Sequence, residues 1–341
     1  MPPSARASTT LGRPRVLSGI QPTGGLHIGN YLGALRNWVR EQERYENYFC
    51  IVDLHALTML PDPAELHDKS LEVTALFLAS GLDPQRCEIF LQSHVPQHTQ
   101  LGWIMECFTP MGWLERMTQF KARLQSQGRE RIGTGVFTYP DLMTADILLY
   151  DADFVPVGGD QRQHIELARD VAQRLNGLRG EVVRVPEPLI SDVGARVMGL
   201  DDPTIKMSKS VAVQRPMHAI FMLDEPGLIR RKVSRAQTDT EPAVLEPLGD
   251  GVANLVDIYA ALRDISHDAA LDHFRGKRYG ELKGETADAI IDVLTPIQQR
   301  AAELLSDPES LQQQLRESSA RAEAVAAATL DRVQEALGLL R

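Results

Sequence analysis

From residue 15 to about residue 180, short apolar runs alternate with helix-length amphipathic stretches, and glycines crowd the joints between them. "RVLSGI" (15–20), "NYFCIVDLHAL" (47–57), "CEIFLQSHVP" (87–96) and "FVPVGG" (154–159) read as strands. "YLGALRNWV", "DPAELHDKSLEVTALFLASG", "TQLGWIMECFTPMGWLERMTQF", "YPDLMTADILLY" and "DQRQHIELARDVAQRL" read as helices, the third interrupted at Pro110. Strands separated by helices of this length join through crossovers. The expected fold is therefore an α/β domain with a parallel sheet covered on both faces. After about residue 212 the periodicity is helical throughout, in "MHAIFMLDEPGLIRRKVSRA", "NLVDIYAALRDI", "GELKGETADAIIDVLTPIQQRAAELL" and the Ala-rich end. This divides the chain into a 1–212 domain and a 213–341 helical region, with residues 1–14 expected as a disordered tail and the last helix folding back onto the first domain.

A parallel sheet binds ligands beyond the carboxyl ends of its strands. The first such junction is "SGIQPTGGLHIGN" (18–30). Its glycines let the backbone turn and approach a ligand, and the helix that follows presents unpaired N–H groups to an anion. His27 and Asn30 can add side-chain donors. A glycine-rich turn with a capping histidine is the competing account. In "KMSKS" (206–210), Lys206 and Lys209 bring mobile cations, and Ser208 and Ser210 bring hydroxyls. That set suits a triphosphate whose charge is stabilised as phosphate departs. A third junction, "FVPVGGDQRQH" (154–164), repeats strand, paired glycines and helix, with Gly158, Gly159 and Asp160 at the turn.

Asp146 stands in a helix whose neighbours at three and four residues are Leu142, Met143, Leu149 and Tyr150. Its carboxylate is expected on an apolar face, where it needs a donor. The N–H of an indole is one candidate, and an internal Arg or His is the other.

The formal net charge of −10 argues against broad, nonspecific nucleic-acid binding. It leaves room for two local basic runs, "FKARLQSQGRER" (120–131) and "IRRKVSR" (229–235). No run reaches the ~18 apolar residues of a membrane span. Cys50, Cys87 and Cys107 form no CxxC pair, which fits a reducing compartment.

"HIGN" (27–30) and "KMSKS" resemble the two signatures of class I aminoacyl-tRNA synthetases. "SGIQPTG", "GNYLGAL", "CIVDLHALT", "RMTQFK", "TYPDLMTADILLY", "VPVGGDQRQHIELARDVAQRLN" and "GARVM" appear in the order of the bacterial-type tryptophanyl branch, across residues 16–213. The resemblance implies a Rossmann-like catalytic domain with a C-terminal helical domain. It also implies activation of L-tryptophan by ATP and transfer of the amino acid to tRNA(Trp). Mg²⁺ would arrive with the ATP, without a dedicated protein metal site. A cytoplasmic homodimer is implied as well.

Carried onto this chain, the resemblance assigns Gln21, Pro22, Thr23, His27, Gly29, Asn30, Gly158, Gly159, Asp160, Val197 and the 206–210 stretch (Lys206, Met207, Ser208, Lys209, Ser210) to ATP. His27, Asn30, Lys121, Lys206 and Lys209 would serve catalysis. Asp146 would accept from the indole, with Tyr139, Met143, Gln161 and His55 as further pocket residues. Arg230, Arg231, Lys232 and Arg235 would meet tRNA phosphates. The chain departs from the pattern at Leu54 (often Gln), Thr144 (often Ala), Gly159 (often Glu) and Val211 (often acidic). Tyrosine activation, a nucleotidyltransferase and a non-catalytic adenylate-binding paralogue remain alternatives on the same residues.

Overall fold

The computed structural model describes residues 12–128, 130, 132–156, 158, 161–189, 197–240 and 243–340. The expected tail falls mostly in residues 1–11, outside the described residues. Strands β1 (Arg15–Ile20), β2 (Glu46–Ile51), β3 (Cys87–Leu91), β4 (Phe154–Pro156) and β5 (Glu187–Leu189) form a parallel sheet in the order β3-β2-β1-β4-β5. Three of them lie within the apolar runs bounded by turn residues, and β4 opens "FVPVGG". The fifth was not anticipated.

Between β1 and β2 lie α1 (Ile28–Asn30), a π turn (Tyr31–Leu35) and α2 (Arg36–Glu41). Helices α3 (Asp53–Ala56) and α4 (Pro63–Ala79) lead to β3. Asp62 starts α4 by accepting from the Ala64 and Glu65 amides, with Pro63 at the first helical position. Next come α5 (Gln97–Phe108), α6 (Met111–Glu115), α7 (Thr118–Gln127) and α8 (Thr134–Leu149), while α9 (Arg162–Arg179) separates β4 from β5. Helix α8 begins ahead of the expected Tyr139, because Pro140 is carried inside it. Beyond β5 the described elements are helical: α10 (Lys209–Gln214), α11 (Pro226–Ser234), α12 (Asp250–Arg263), α13 (His267–Phe274), α14 (Tyr279–Leu305) and α15 (Pro308–Leu337).

The two-residue period of the strands divides the core. Phe49, Ile51 and Ile89 face a cluster with Leu32, Leu35, Leu76 and the apolar sides of α11, α12 and α14. Tyr48, Cys50, Val52 and Phe90 face the other cluster, with Leu101, Leu148, Val171 and Ala326 of α5, α8, α9 and α15. The first cluster joins residues on both sides of 212, from Leu26 to Leu315. Edge strand β3 is covered by α15. The Ile89 amide donates to Ser318 Oγ at 2.8 Å, and that hydroxyl donates to Glu88 Oε2 at 2.7 Å.

Sheet order now places the site. β1 is flanked by β2 on one side and β4 on the other, so the connections diverge at the carboxyl ends of β1 and β4. That is the topological switch point where an open α/β sheet leaves a crevice. The glycine-rich loop follows β1, and Gly158 follows β4.

Candidate functional site

The loop after β1 needs glycine for its backbone at one place and for space at another. Gly24 has φ +60° and lies against Lys209, and a Cβ at Gly29 would stand 2.9 Å from His27 Nδ1 and 3.5 Å from Val197 Cβ. His27, with extended backbone, precedes α1, and its amide donates to Asn30 Oδ1 at 3.1 Å. The neighbouring segment pins this turn: the Ile28 amide donates to Ile220 O (2.9 Å) and the Met222 amide to Leu26 O (2.7 Å).

The His27 ring is buried, and its Nδ1 has no hydrogen-bond partner. Burial, followed by the charges of Lys209 and Lys206, pushes its pKa down to about 3. The imidazole is therefore neutral near pH 7 and offers one donor and one acceptor.

The second signature closes over the first. Lys209 Nζ donates to Thr23 O at 2.9 Å and approaches Gln21 O at 3.4 Å. Burial lowers its pKa to about 8, so most of the population stays charged at pH 7. Gln21 is exposed and Pro22 buried. Ser208 caps α10 by accepting from the Val211 amide at 3.4 Å, and its hydroxyl lies 3.5 Å from that of Ser210. Lys206 is exposed, whereas the Met207 side chain is buried in the core. The Met207 amide donates to Val197 O at 3.1 Å, so Met207 contributes backbone to this site.

The structure thus gathers Gln21, Pro22, Thr23, His27, Gly29, Asn30, Val197 and the 206–210 stretch around one turn. It does not gather Lys121, which is exposed on α7 with no side-chain hydrogen bond to a described residue. Gly158 accepts from the Gln161 amide at 3.0 Å at the start of α9. Gly159 and Asp160 lie outside the described residues.

Asp146 is 3 % exposed on α8, and internal histidines, one of its two expected kinds of donor, are in place. Three internal donors reach it. Gln92 Nε2 (2.8 Å) and His98 Nδ1 (2.6 Å) donate to Oδ1, and His55 Nε2 (2.9 Å) donates to Oδ2. Behind them, His98 Nε2 lies 2.8 Å from Tyr150 Oη. This chain of contacts assigns a proton to His98 Nδ1 and leaves Nε2 to accept from the tyrosine. Burial alone would push the Asp146 carboxyl up, but His98 and His55 outweigh it and hold it below the usual carboxylate range.

His55 sits in α3, not at the end of a strand. The sequence reading missed Gln92 and His98. Their signal was the polar string "QSHVPQH" directly beyond an apolar strand, in reach of a buried carboxylate.

Tyr139 Oη donates to Gln119 Oε1 (3.0 Å) and lies 2.7 Å from His164 Nε2. It also lines a cavity of about 650 Å³ with Leu57, Met59, Trp103, Arg123 and Leu142. Met143 is half-buried against the α5–α8–α9 core, and Gln161 precedes α9.

Of the four basic residues on and after α11, Lys232 is corrected. It is 3 % exposed, and its ammonium donates to Ala219 O (2.7 Å) and Asp224 Oδ2 (2.6 Å) over the Phe221 ring. It falls on the helix face of Ile229, Val233 and Ala236, so it ties α11 to the segment that pins the glycine loop. It is not available to a phosphate. Arg230 pairs with Asp288, while Arg231 and Arg235 are exposed.

Known proteins match this arrangement along nearly the whole chain. The family model described as class I tRNA synthetases (W and Y) matches residues 9–295. A tryptophan–tRNA ligase of Caldanaerobacter subterraneus is 47 % identical over 331 residues, covering 96 % of this chain and 98 % of that protein. The tryptophanyl-tRNA synthetase of Mycoplasma pneumoniae superposes with a TM-score of 0.88 at 34 % identity, covering 96 % of this chain and 98 % of that one. The Campylobacter jejuni enzyme complexed with ADP and tryptophan superposes with a TM-score of 0.81 at 33 % identity, covering 95 % and 100 %. A Rossmann-like sheet, a neutral buried histidine beside a glycine turn and a lysine loop folded onto that turn accompany these matches, and the chain belongs to the class I aminoacyl-tRNA synthetases of the tryptophan and tyrosine group.

Proposed function

We propose that this protein is a tryptophan–tRNA ligase. The carboxylate of L-tryptophan attacks the α-phosphate of ATP, giving tryptophanyl-adenylate and pyrophosphate. The aminoacyl group then passes to the 3′-terminal adenosine of tRNA(Trp). The observation that carries the reading is the contact between the two signatures: Lys209 Nζ rests on Thr23 O beside a buried His27 whose Nδ1 lacks a partner. Both groups are poised to trade these surroundings for phosphate oxygens, and Lys206 stands exposed on the same loop. No covalent enzyme intermediate is required, so catalysis rests on positioning and charge stabilisation.

His27, as a neutral ring, donates to a phosphate oxygen without charge repulsion from the lysines. Lys206 and Lys209 stabilise the charge that builds on departing pyrophosphate. Gln21, Pro22, Thr23, Gly29, Asn30, Met207, Ser208 and Ser210 shape the phosphate end of the ATP site, and Gly158, Gly159, Asp160 and Val197 the adenosine end. Lys121 joins only if α7 approaches the bound nucleotide. The donor set at the turn is lysines, hydroxyls and amides, which suits phosphate. Mg²⁺ would therefore be carried by the phosphates and supply further charge neutralisation.

A carboxylate has about four acceptor positions, and three protein donors leave one on Asp146 Oδ2. That position accepts the indole N–H, with His55, Tyr139, Met143 and Gln161 around it. A pocket built on such a bond rejects side chains lacking it by roughly 10⁴–10⁵-fold.

In the helical region, Arg231 and Arg235 are the exposed cations for tRNA phosphates, in a 213–341 region that reads the anticodon. We read the protein as a cytoplasmic homodimer. Exposed Leu57, Met59, Leu60 and Trp103, which line one cavity, supply the apolar patch a second copy would cover. Among the described residues, no helix is long and apolar enough to cross a membrane.

The test is amino-acid-dependent ATP–pyrophosphate exchange with tryptophan, tyrosine or no amino acid, followed by charging of tRNA(Trp). Exchange with tryptophan alone supports the reading. Exchange with tyrosine removes the Asp146 assignment, and exchange with neither removes the function. Light scattering of the purified protein tests the dimer.

A further inference from the structure

We propose that His218 is a positioning residue for the loop that carries Lys206 and Lys209. The inference rests on the proposal that this loop serves the phosphates of ATP. His218 is fully buried, yet it belongs to neither signature. Its Nδ1 lies 2.7 Å from Asp201 Oδ1, and its Nε2 lies 3.2 Å from the Lys206 carbonyl oxygen. Both ring nitrogens therefore face oxygen atoms, one on each side of the ring.

The Asp201 carboxylate is held in turn by Arg215, whose Nε donates to Oδ2 at 2.8 Å. Arg215 also reaches Asp202 at 3.5 Å. The ring position is enforced from the opposite side. A Cβ at Gly199 would stand 2.0 Å from His218 Cε1, so the backbone at 199 lies flat against the imidazole.

His218 meets both arms of a short hairpin, its ring at the Lys206 carbonyl and its own carbonyl at the Leu200 amide. Gly199 donates to Ile205 O (2.8 Å), Met207 donates to Val197 O (3.1 Å), and Leu200 donates to the His218 carbonyl (3.0 Å). Asn254 of α12 clamps Met198 from behind with two hydrogen bonds, at 2.9 and 3.1 Å. The hairpin base is therefore anchored, and the Lys206 carbonyl and the Met207 amide are fixed points between the two lysines. Val211, directly after the signature, offers no carboxylate to hold the loop. The His218–Asp201–Arg215 chain supplies a fixed point from behind. Releasing it lets the loop drift, and a misplacement of about 1 Å at a reacting centre costs on the order of 10²-fold in rate.

Three variants separate positioning from mere packing. His218→Gln carries an amide donor near the place of Nε2 and can keep the Lys206 bond. His218→Asn reaches only the Asp201 side, and His218→Phe keeps ring volume with no donor. In tryptophan-dependent pyrophosphate exchange we expect Phe and Asn to lower kcat by roughly tenfold to a hundredfold with KM for tryptophan unchanged. The Gln variant should recover most of that loss. Amide hydrogen exchange at Met207 and Gly199, measured in the same proteins without nucleotide, should accelerate in Asn and Phe and not in Gln. Equal effects in all three variants, or amide exchange unmoved by Asn, would overturn the proposal. If the wild-type protein exchanges no pyrophosphate, the functional reading fails, while the amide measurement still decides whether His218 fixes the loop.

Discussion

Replacing Asp146 with asparagine tests whether this buried carboxylate is an internal strut or the group that selects the amino acid. Three donors converge on it: two on Oδ1 from Gln92 and His98, and one on Oδ2 from His55. The Asn carbonyl can keep the two bonds at Oδ1. Its amide then faces His55 Nε2, which can accept by moving its own proton to Nδ1. Each surviving bond drops from charge-assisted to neutral, a loss of about 1 kcal/mol apiece. Relief of the buried charge returns part of this, leaving a net cost of about 1–3 kcal/mol. For a chain of this size that is a fall in Tm of roughly 1–4 °C. The functional cost is different in kind. The free acceptor position on Oδ2 becomes an N–H facing the indole N–H, a donor against a donor. We expect kcat/KM for tryptophan to fall roughly a hundredfold, or about 2.7 kcal/mol at 1.36 kcal/mol per decade. The assay is pyrophosphate exchange at varied tryptophan alongside thermal unfolding. If Tm falls as expected but kcat/KM for tryptophan stays within about threefold, Asp146 serves only the internal network, and the pocket must be sought elsewhere.

Asp141 gives a prediction about pH. Burial raises its carboxyl from 3.8 to about 6, with Thr109 Oγ1 donating to Oδ1 and Oδ2 unpartnered. The folded state then binds the extra proton between about pH 4 and 6, so wild-type stability falls as pH rises through that window and is flat above it. Asp141→Asn keeps the threonine bond and should gain about 1–3 kcal/mol at pH 7 and nothing at pH 4, read from denaturant midpoints at the two values. Gly29→Ala would press a Cβ 2.9 Å from His27 Nδ1; KM for ATP should rise with a stability cost of about 1–3 kcal/mol, and an unchanged KM would free His27 of its nucleotide role. Lys232→Met strands Asp224 in a buried site and should cost about 3 kcal/mol in urea unfolding. The same variant should leave the salt dependence of tRNA binding unchanged, whereas Arg231→Ala or Arg235→Ala should each reduce that slope by about one.

These residues also mark where sequence was sufficient. Local signals carried β1, β2 and β3, because buried parallel strands are apolar runs cut off by turn residues, and carried the two signatures, because their chemistry is contiguous. Strand β5 escaped. It spans three residues, contains Pro188 and lies at the sheet edge, where a missing N–H costs little and no apolar run is needed. The start of α8 escaped because Pro140 reads as a first-turn residue, yet the helix carries it inside. Thr144 Oγ1 donates to the Pro140 carbonyl at 2.8 Å there. The donors of Asp146 escaped for a different reason. Gln92 and His98 lie 54 and 48 residues away, and only the packing of α5 on α8 brings them to it. A buried carboxylate announces that it has partners without saying which.

Lys232 is the instructive case, because the information was present and the wrong pattern was read. "IRRKVSR" scores as a basic run if charges are counted along the chain. Counted around a helix, position 232 shares the stripe of Ile229, Val233 and Ala236, spaced by three, one and three residues, and that stripe faces the core. A lysine on such a stripe must find a carboxylate or withdraw its charge, and Asp224, just before the helix, accepts from it and from the Phe221 amide. The ammonium then does more than satisfy a charge. By holding Ala219 O and Asp224 together it fixes the 219–224 segment, whose Ile220 carbonyl and Met222 amide hold residues 26–28 of the glycine loop. The helical region thus reaches the glycine loop through a buried cation that a charge count had assigned to the surface.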